Sequence, residues 1–311
     1  MQKIVPHLWF DKEAAEAAAF YASVFPESRV TSITRMEDTP SGDADMVIFE
    51  LWNQKFMAIS AGPIFKPNPS ISFMVNFDPL FFGGSPDPAQ AAREKIDFVW
   101  DKLSEGGNVL MPIDQYPFSQ RYGWIQDKYG VSWQLILTNP EGEPRPPIIT
   151  SLMFVGDQCG KAEEAINFYC SVFKNAKLGS IHRYPEGMAP DKPGTIMFAD
   201  FKLEDSWFTA MDSAHEHKFN FNEGVSIVVN CEDQAELDYF TQKMSAVPEA
   251  EQCGWIKDKF GVSWQITPAE LEELMVNGTQ EQINRITQAL LPMKRLEIAP
   301  LIKAFEESKL F

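Results

Sequence analysis

The side chains best suited to chemistry fall into a few small sets. His7 lies in the apolar run Ile4–Phe10, where strand alternation puts it on one face with Val5 and Trp9. Gln134 lies in the run 131–137 and shares a face with Ser132 and Ile136. An imidazole nitrogen and a carboxamide oxygen are both competent toward a divalent ion. Both are neutral and would leave most of a dication's charge uncompensated. Ser60 and Ser72, where further ligands would be sought, are weak donors. The competing reading has His7 hydrogen-bonded beside a pocket and Gln134 capping a strand. His215 and His217 form an H-x-H pair inside the polar stretch DSAHEHKFNFNEG, which reads as a surface loop.

No nucleophile constellation accompanies these residues: there is no G-x-S-x-G elbow, no P-loop and no H-E-x-x-H helix. Cys159, Cys170, Cys231 and Cys253 form no C-x-x-C pair, and their spacing suits reduced thiols near a core. Aromatic residues are 13% of the chain, and Trp9, Phe73, Trp124, Trp133, Phe154, Trp255 and Trp264 fall on expected strands. Trp133 and Trp264 alternate with Gln134 and Gln265, so they point toward helix packing; Trp9 lies on the side of His7. An aromatic pocket with a few polar groups suits a small, planar or partly apolar ligand. The candidate ligand-binding residues are His7, Trp9, Phe73, Trp124, Gln134, Met153, Trp255 and Gln265. Asp127-Lys128 and Asp258-Lys259 read as salt bridges at surface turns.

An internal repeat organises the elements that must position these residues. FYASVF at 20–25 returns as FYCSVF at 168–173, and GWIQDKYGVSWQ at 123–134 returns as GWIKDKFGVSWQ at 254–265. The offset is 148 at the first match and 131 at the second, so the second copy has lost a net 17 residues between them. Copy one carries DPLFFGGSPDPAQ, which looks like an inserted loop, and GGNVLMPIDQYPFSQRY where copy two has only AVPEAEQC. Each copy reads as a doubled βαβββ unit. Copy one has strands at 4–10, 29–35, 46–52, 56–60, 71–77 and 131–137, with further strands near Val109 and Trp124. Its first helix carries a stripe at Ala15, Ala18, Ala19, Ala22 and Phe25, and its second one at Ile96, Val99, Trp100 and Leu103. Copy two repeats the first helix with Ala162, Ala165, Ile166, Tyr169, Val172 and Phe173, but has Ser151 in the place of His7. Gly130 and Gly261 fit tight hairpin turns. These features place one domain at 1–140, a stiff Pro-rich linker at 141–147, a second domain at 148–267 and a helical tail at 268–311. Thr267 is the expected N-cap and Pro268 the first helical residue of a tail that covers a sheet face or a partner subunit.

FYASVF, LSEGGNVLMP and GWIQDKYGVSWQL in copy one, with FYCSVF, VNCEDQAELDYF and GWIKDKFGVSWQI in copy two, resemble the vicinal oxygen chelate superfamily of glyoxalase I, bleomycin-resistance proteins and extradiol dioxygenases. Both copies are similar to its PhnB-like family, which often carries the label 3-demethylubiquinone-9 3-methyltransferase. The tail segment LLPMKRLEIAPLIKAFE is similar to the end of such proteins. The resemblance implies an α+β fold of two tandem glyoxalase/bleomycin-resistance-like domains, each a pair of βαβββ modules forming a half-open barrel around a cavity. It also implies metal ligands on a first strand and a last strand, the positions held by His7 and Gln134. The methyltransferase label has no support in the residues, because the Gly-rich turn of a methyl-donor site in a Rossmann-like sheet is missing.

With 27 basic and 44 acidic residues, the net charge is −17, which disfavours nucleic acid and anionic membrane surfaces as partners. No stretch reads as a signal peptide or membrane span, so a cytoplasmic location is expected. The expected function is small-molecule binding, with the main pocket in the first domain. The alternative is a metal-dependent lyase, isomerase or dioxygenase. No cofactor is required by the sequence beyond that optional divalent metal. The two domains are expected to pair within the chain, and homodimerisation on top of this is compatible with the superfamily.

Overall fold

Four near-continuous apolar runs, IVPHLWF, ISFMVNF, IITSLMF and VSIVVNC, fix the architecture. Strands that read this way are buried on both faces and take central positions in a sheet. The computed structural model describes residues 2–139 and 143–307 and shows an α+β protein with a seven-stranded and an eight-stranded sheet. Residues 141 and 142 of the expected linker, and 308–311 of the expected tail, lie outside the described residues. None of the described helices is long and apolar enough to cross a membrane.

The chain forms two compact units. Unit 1 comprises Met1–Ser23, Glu27–Lys66 and Asn222–Phe311; unit 2 comprises Val24–Pro26 and Pro67–Phe221. Unit 1 begins with β1 (Ile4–Phe10), α1 (Ala14–Val24), β2 (Arg29–Thr39), β3 (Gly42–Leu51) and β4 (Gln54–Ser60). The chain then builds unit 2 from β5 (Ile71–Phe77), α2 (Pro88–Ser104), β6 (Asn108–Tyr116), β7 (Ser119–Gln126), β8 (Ser132–Leu137), β9 (Ile148–Phe154), α3 (Ala162–Val172), β10 (Ala176–Arg183), β11 (Ile196–Leu203) and β12 (Ser206–Asp212). It returns to unit 1 with β13 (Val225–Cys231), α4 (Gln234–Met244), β14 (Trp255–Lys257) and β15 (Ser263–Pro268), and ends in α5 (Ala269–Asn277), α6 (Gln280–Leu290) and α7 (Ile298–Glu306).

Three βαβββ modules are as expected and the fourth, β13-α4-β14-β15, is one strand short, but the units do not coincide with the sequence copies. Unit 1 has strand order β14-β15-β13-β1-β4-β3-β2, joined by the antiparallel seam from Ile4↔Val229 to Leu8↔Val225. Unit 2 has the order β10-β11-β12-β9-β5-β8-β7-β6, with the seam Ile71↔Leu152 to Val75↔Ile148. Each copy thus gives its first module to one unit and its second to the other. β5 and β13 are repeat counterparts, so β13 offers β1 the same kind of partner that β5 would offer within the copy, the logic of a swap within one chain.

Local details differ from the sequence reading in three places. The buried stripe of α1 is Ala14, Ala17, Ala18, Tyr21 and Val24, one residue out of phase with the expected stripe. So many alanines give a stripe at any phase, and Tyr21 settles it by stacking on Phe49. The DKxGVSW turns are anchored from inside by aspartates that are buried, not at the surface. Asp127 accepts the backbone N–H of Tyr129 and Val131 on Oδ1 and the Trp133 indole N–H on Oδ2, and Asp258 does the same for Phe260, Val262 and Trp264. Finally, Pro268 still pairs with Cys231 as the last residue of β15, so the tail helix begins at Ala269.

Candidate ligand-binding site

Within unit 1, strand alternation turns one side of the sheet into a hollow. His7 of β1 pairs with Ser226 of β13, and Val228 on the same face of β13 pairs with Gln265 of β15. Gln265 Nε2 donates to Ser226 Oγ at 2.9 Å, which lines up an imidazole, a hydroxyl and a carboxamide across three neighbouring strands. The cavity in front of them is about 560 Å³, within the range of ~300–1,000 Å³ typical of small-molecule sites. Its walls include Trp9, Trp255, Phe65, Ile59 and the thioethers of Met36, Met46, Met57 and Met275. Trp9 and Trp255 meet edge to face at 5.8 Å between ring centres, and Phe65 lies edge-on to Trp9 at 5.2 Å. Trp9 Nε1 donates to Gly62 O at 2.8 Å, which fixes the indole against the wall.

His7 is the central polar group. It is 4% exposed, lies edge-on to Trp255 at 5.6 Å, and its Nδ1 has no hydrogen-bond partner among the described residues. Burial lowers its pKa to about 3, so the ring is neutral throughout the physiological range. Glu223, Glu249 and Glu272 also line the cavity; Glu223 and Glu272 are bound to Lys257 and Lys55, each at 2.6 Å. The row of His7, Ser226 and Gln265 is itself uncharged.

The tail completes this hollow. Along edge strand β2, Gln280 Nε2 donates to Arg35 O, Asn284 Nδ2 to Glu37 and Gln288 Nε2 to Asp38 O. Toward the opposite edge of the sheet, beside β14, Cys253 N and Gly254 N donate to Met293 O and Lys294 O at 2.7 and 2.8 Å. In unit 2 the corresponding residues, Tyr122 and Gly123, lie on β7, which pairs with β6. Copy two has lost that strand, and the tail takes the freed backbone donors. Gly254 suits the junction, because a Cβ there would stand 2.8 Å from Ile266 O and 3.0 Å from the Leu296 side chain. Ile283, Ile286 and Thr287 of α6 are buried, and Thr287, Leu290, Leu291 and Leu296 line the cavity.

In unit 2 the same positions stand beside a buried hydrophobic cluster. Ser151, Ser72 and Gln134 stand where His7, Ser226 and Gln265 stand in unit 1. Gln134 Nε2 donates to Ser72 Oγ at 2.6 Å, and Gln134 Oε1 accepts the hydroxyl of Tyr122 at 2.9 Å. Met74, Ile149 and Trp207 pack beside them with Ile136 and Phe198. The guanidinium of Arg145 lies 3.7 Å over the Trp207 ring and pairs with Asp200 at 2.7 Å.

The structure therefore sorts the expected site residues into two groups. His7, Trp9, Trp255 and Gln265 line the unit 1 cavity. Phe73, Trp124, Gln134 and Met153 belong to unit 2. There Phe73 is buried against Trp133, Trp124 donates to Ser132 Oγ, and Met153 is buried with its backbone N–H on Ser70 O. His7 and Gln134 do not share a unit; the carboxamide that faces the His7 site is Gln265. Among the described residues no three His, Cys, Asp or Glu side chains cluster in a way that would hold a metal ion. A set of imidazole, hydroxyl and carboxamide without a free carboxylate does not fit a divalent metal, because nothing in it offsets the charge. Ser60, a further candidate, instead accepts the Ala14 N–H at the start of α1. His215 and His217 lie in a loop of unit 2, the first 3.4 Å from Asp191 and the second 2.8 Å from Ser213 Oγ. All four cysteines are free.

A PhnB protein from Bacillus cereus is 37% identical over 44% of this chain and 100% of its own, with a TM-score of 0.37. Protein PA1353 from Pseudomonas aeruginosa is 20% identical over 45% of this chain and 99% of its own, with a TM-score of 0.36. Glyoxalase I from Zea mays, 12% identical over 87% of this chain and 95% of its own with a TM-score of 0.52, shares the fold. No curated protein matches significantly. The family profile described as 3-demethylubiquinone-9 3-methyltransferase matches twice, over residues 2–136 and 146–267, and stops short of the tail. With two matches spanning most of its length, the chain belongs to that family and carries it in tandem, on the vicinal oxygen chelate fold.

Proposed function

We propose that the protein binds an uncharged small molecule with an apolar body in the unit 1 cavity. The carrying observation is that cavity itself: about 560 Å³, walled by aromatic and thioether side chains, with an uncharged polar row on its floor. Two indoles supply large, rigid apolar surface, while methionines adapt to irregular shapes. The net charge of −17 disfavours anions. Metal-dependent lyase, isomerase or dioxygenase chemistry has less support, because the donor set offers no charge compensation for a dication. Methyl transfer has less still. The strand-to-helix connections of unit 1, residues 11–13 and 232–233, contain no glycine for a donor-binding turn.

Nile red, a neutral apolar dye, tests the reading. Saturable one-to-one binding is expected, with blue-shifted dye emission and quenching of Trp9 and Trp255 fluorescence. Met57→Trp fills the cavity and is expected to abolish binding while leaving the far-ultraviolet circular dichroism unchanged. Absence of saturable binding to the wild-type protein, or undiminished binding to a folded Met57→Trp variant, would refute the proposal.

A further inference from the structure

The internal repeat indicates what the unit 1 cavity is missing. In unit 2 the carboxamide oxygen of Gln134 is occupied by the phenol hydroxyl of Tyr122, at 2.9 Å. The repeat counterpart of Tyr122 is Cys253, the residue before GWIKDKFGVSWQ. Its thiol turns to the tail and donates to Leu291 O at 3.4 Å. Gln265 keeps the bond from its Nε2 to Ser226, as Gln134 does to Ser72. Unit 1 thus retains the receptor for a phenol and lacks the phenol, with a cavity in its place. The walls nearest this position suit an aromatic ring, since Trp255 sits beside both His7 and Trp9.

We propose that the ligand of the unit 1 cavity is a phenol, an aromatic ring whose hydroxyl donates to Oε1 of Gln265 as Tyr122 does to Gln134 in unit 2. The inference rests on the small-molecule-binding reading above and narrows it to one chemical class. An aryl hydroxyl delivered to this oxygen satisfies an acceptor that is otherwise left facing an apolar hollow. The ligand binds as the neutral phenol. His7 is uncharged there and offers no cation for a phenolate, and the net charge of −17 disfavours an anion.

Three probes that differ in one substituent separate the two claims: naphthalene, 2-naphthol and 2-methoxynaphthalene, followed by quenching of intrinsic fluorescence or by calorimetry. The wild-type protein is expected to bind 2-naphthol at least about fivefold more tightly than naphthalene, the size of one net hydrogen bond. The methoxy compound cannot donate and is expected to gain nothing over naphthalene. In Gln265→Met, checked for unchanged far-ultraviolet circular dichroism, the ratio of 2-naphthol to naphthalene affinity should fall to within about twofold. If none of the three probes binds the wild-type protein, the small-molecule reading itself fails. If naphthalene binds but the hydroxyl adds nothing, or the methoxy compound gains as much as the phenol, the phenol assignment fails alone. It fails equally if the preference survives Gln265→Met.

Discussion

A histidine sealed in an apolar wall has thermodynamic consequences beyond the site. His7 has a pKa near 3 in the folded protein, against an ordinary value of 6.5 that the unfolded chain recovers. Between those values the unfolded state binds a proton that the folded state does not, so stability falls as the pH is lowered from about 6.5 toward 3. The slope is at most about 1.4 kcal/mol per pH unit. Urea unfolding at pH 7, 6, 5 and 4 should show this loss in the wild-type protein and a shallower one in His7→Leu; parallel profiles would rule out His7 as its source. At this scale much was legible. Strand alternation put His7 and Trp9 on one face, and both line the unit 1 cavity. Gln134 and Gln265 sit in near-identical repeats, and nothing local says which one shares a sheet with His7; it is Gln265. The Tyr122/Cys253 difference was also visible, one residue outside the longer match, but its meaning needed the hydrogen bond to Gln134.

Among the elements, the DKxGVSW hairpin shows how a motif can be recognised while its buried anchor stays hidden. Its glycine was correctly assigned to the turn, with φ of 88° at Gly130 and 90° at Gly261. The aspartate looked like half of a surface ion pair because the next residue is lysine. In fact Asp258 is 1% exposed and gathers two backbone N–H groups and the Trp264 indole, while the Lys259 ammonium lies over the Phe260 ring. An aspartate accepts on both oxygens, whereas an asparagine must turn an NH₂ toward one of these donors. Asp258→Asn is therefore expected to lower stability by about 2 kcal/mol, the range of hydrogen bonds to a charged group. Combined with Trp264→Phe the losses should be less than additive, because both substitutions remove the same bond. Strict additivity in a double-mutant cycle would contradict the anchor. The helical tail was foreseen as a cover, but its attachment was not. The shortened segment AVPEAEQC announced a missing strand, and only the coordinates show the tail satisfying the backbone donors that strand would have used.

For the molecule as a whole, the repeat identified the modules, yet the units they build were hidden. The seams β1–β13 and β5–β9 use strands whose counterparts would pair equally well within a copy, so pattern alone cannot choose between the two arrangements. The consequence is testable. A fragment of residues 1–140 ends with β1 and β5 each lacking the antiparallel partner it has in the full chain. Two such fragments can supply partners to each other through the same seams, so the fragment is expected to run as a dimer in sedimentation or light scattering. A folded monomer would mean that β1 and β5 can pair within the copy.

The seam between β1 and β13 also imposes an order on biosynthesis. The last strand of unit 2, β12, ends at Asp212, whereas β1 waits for a partner that begins at Val225, and the cavity waits further for Leu296 of the tail. On the ribosome, the inner section of the chain can therefore close while the first sixty residues remain without their mates. A nascent polypeptide arrested before β13 would expose an unpaired, almost wholly apolar β1, so the earliest-made part of the binding site is the part most in need of a chaperone.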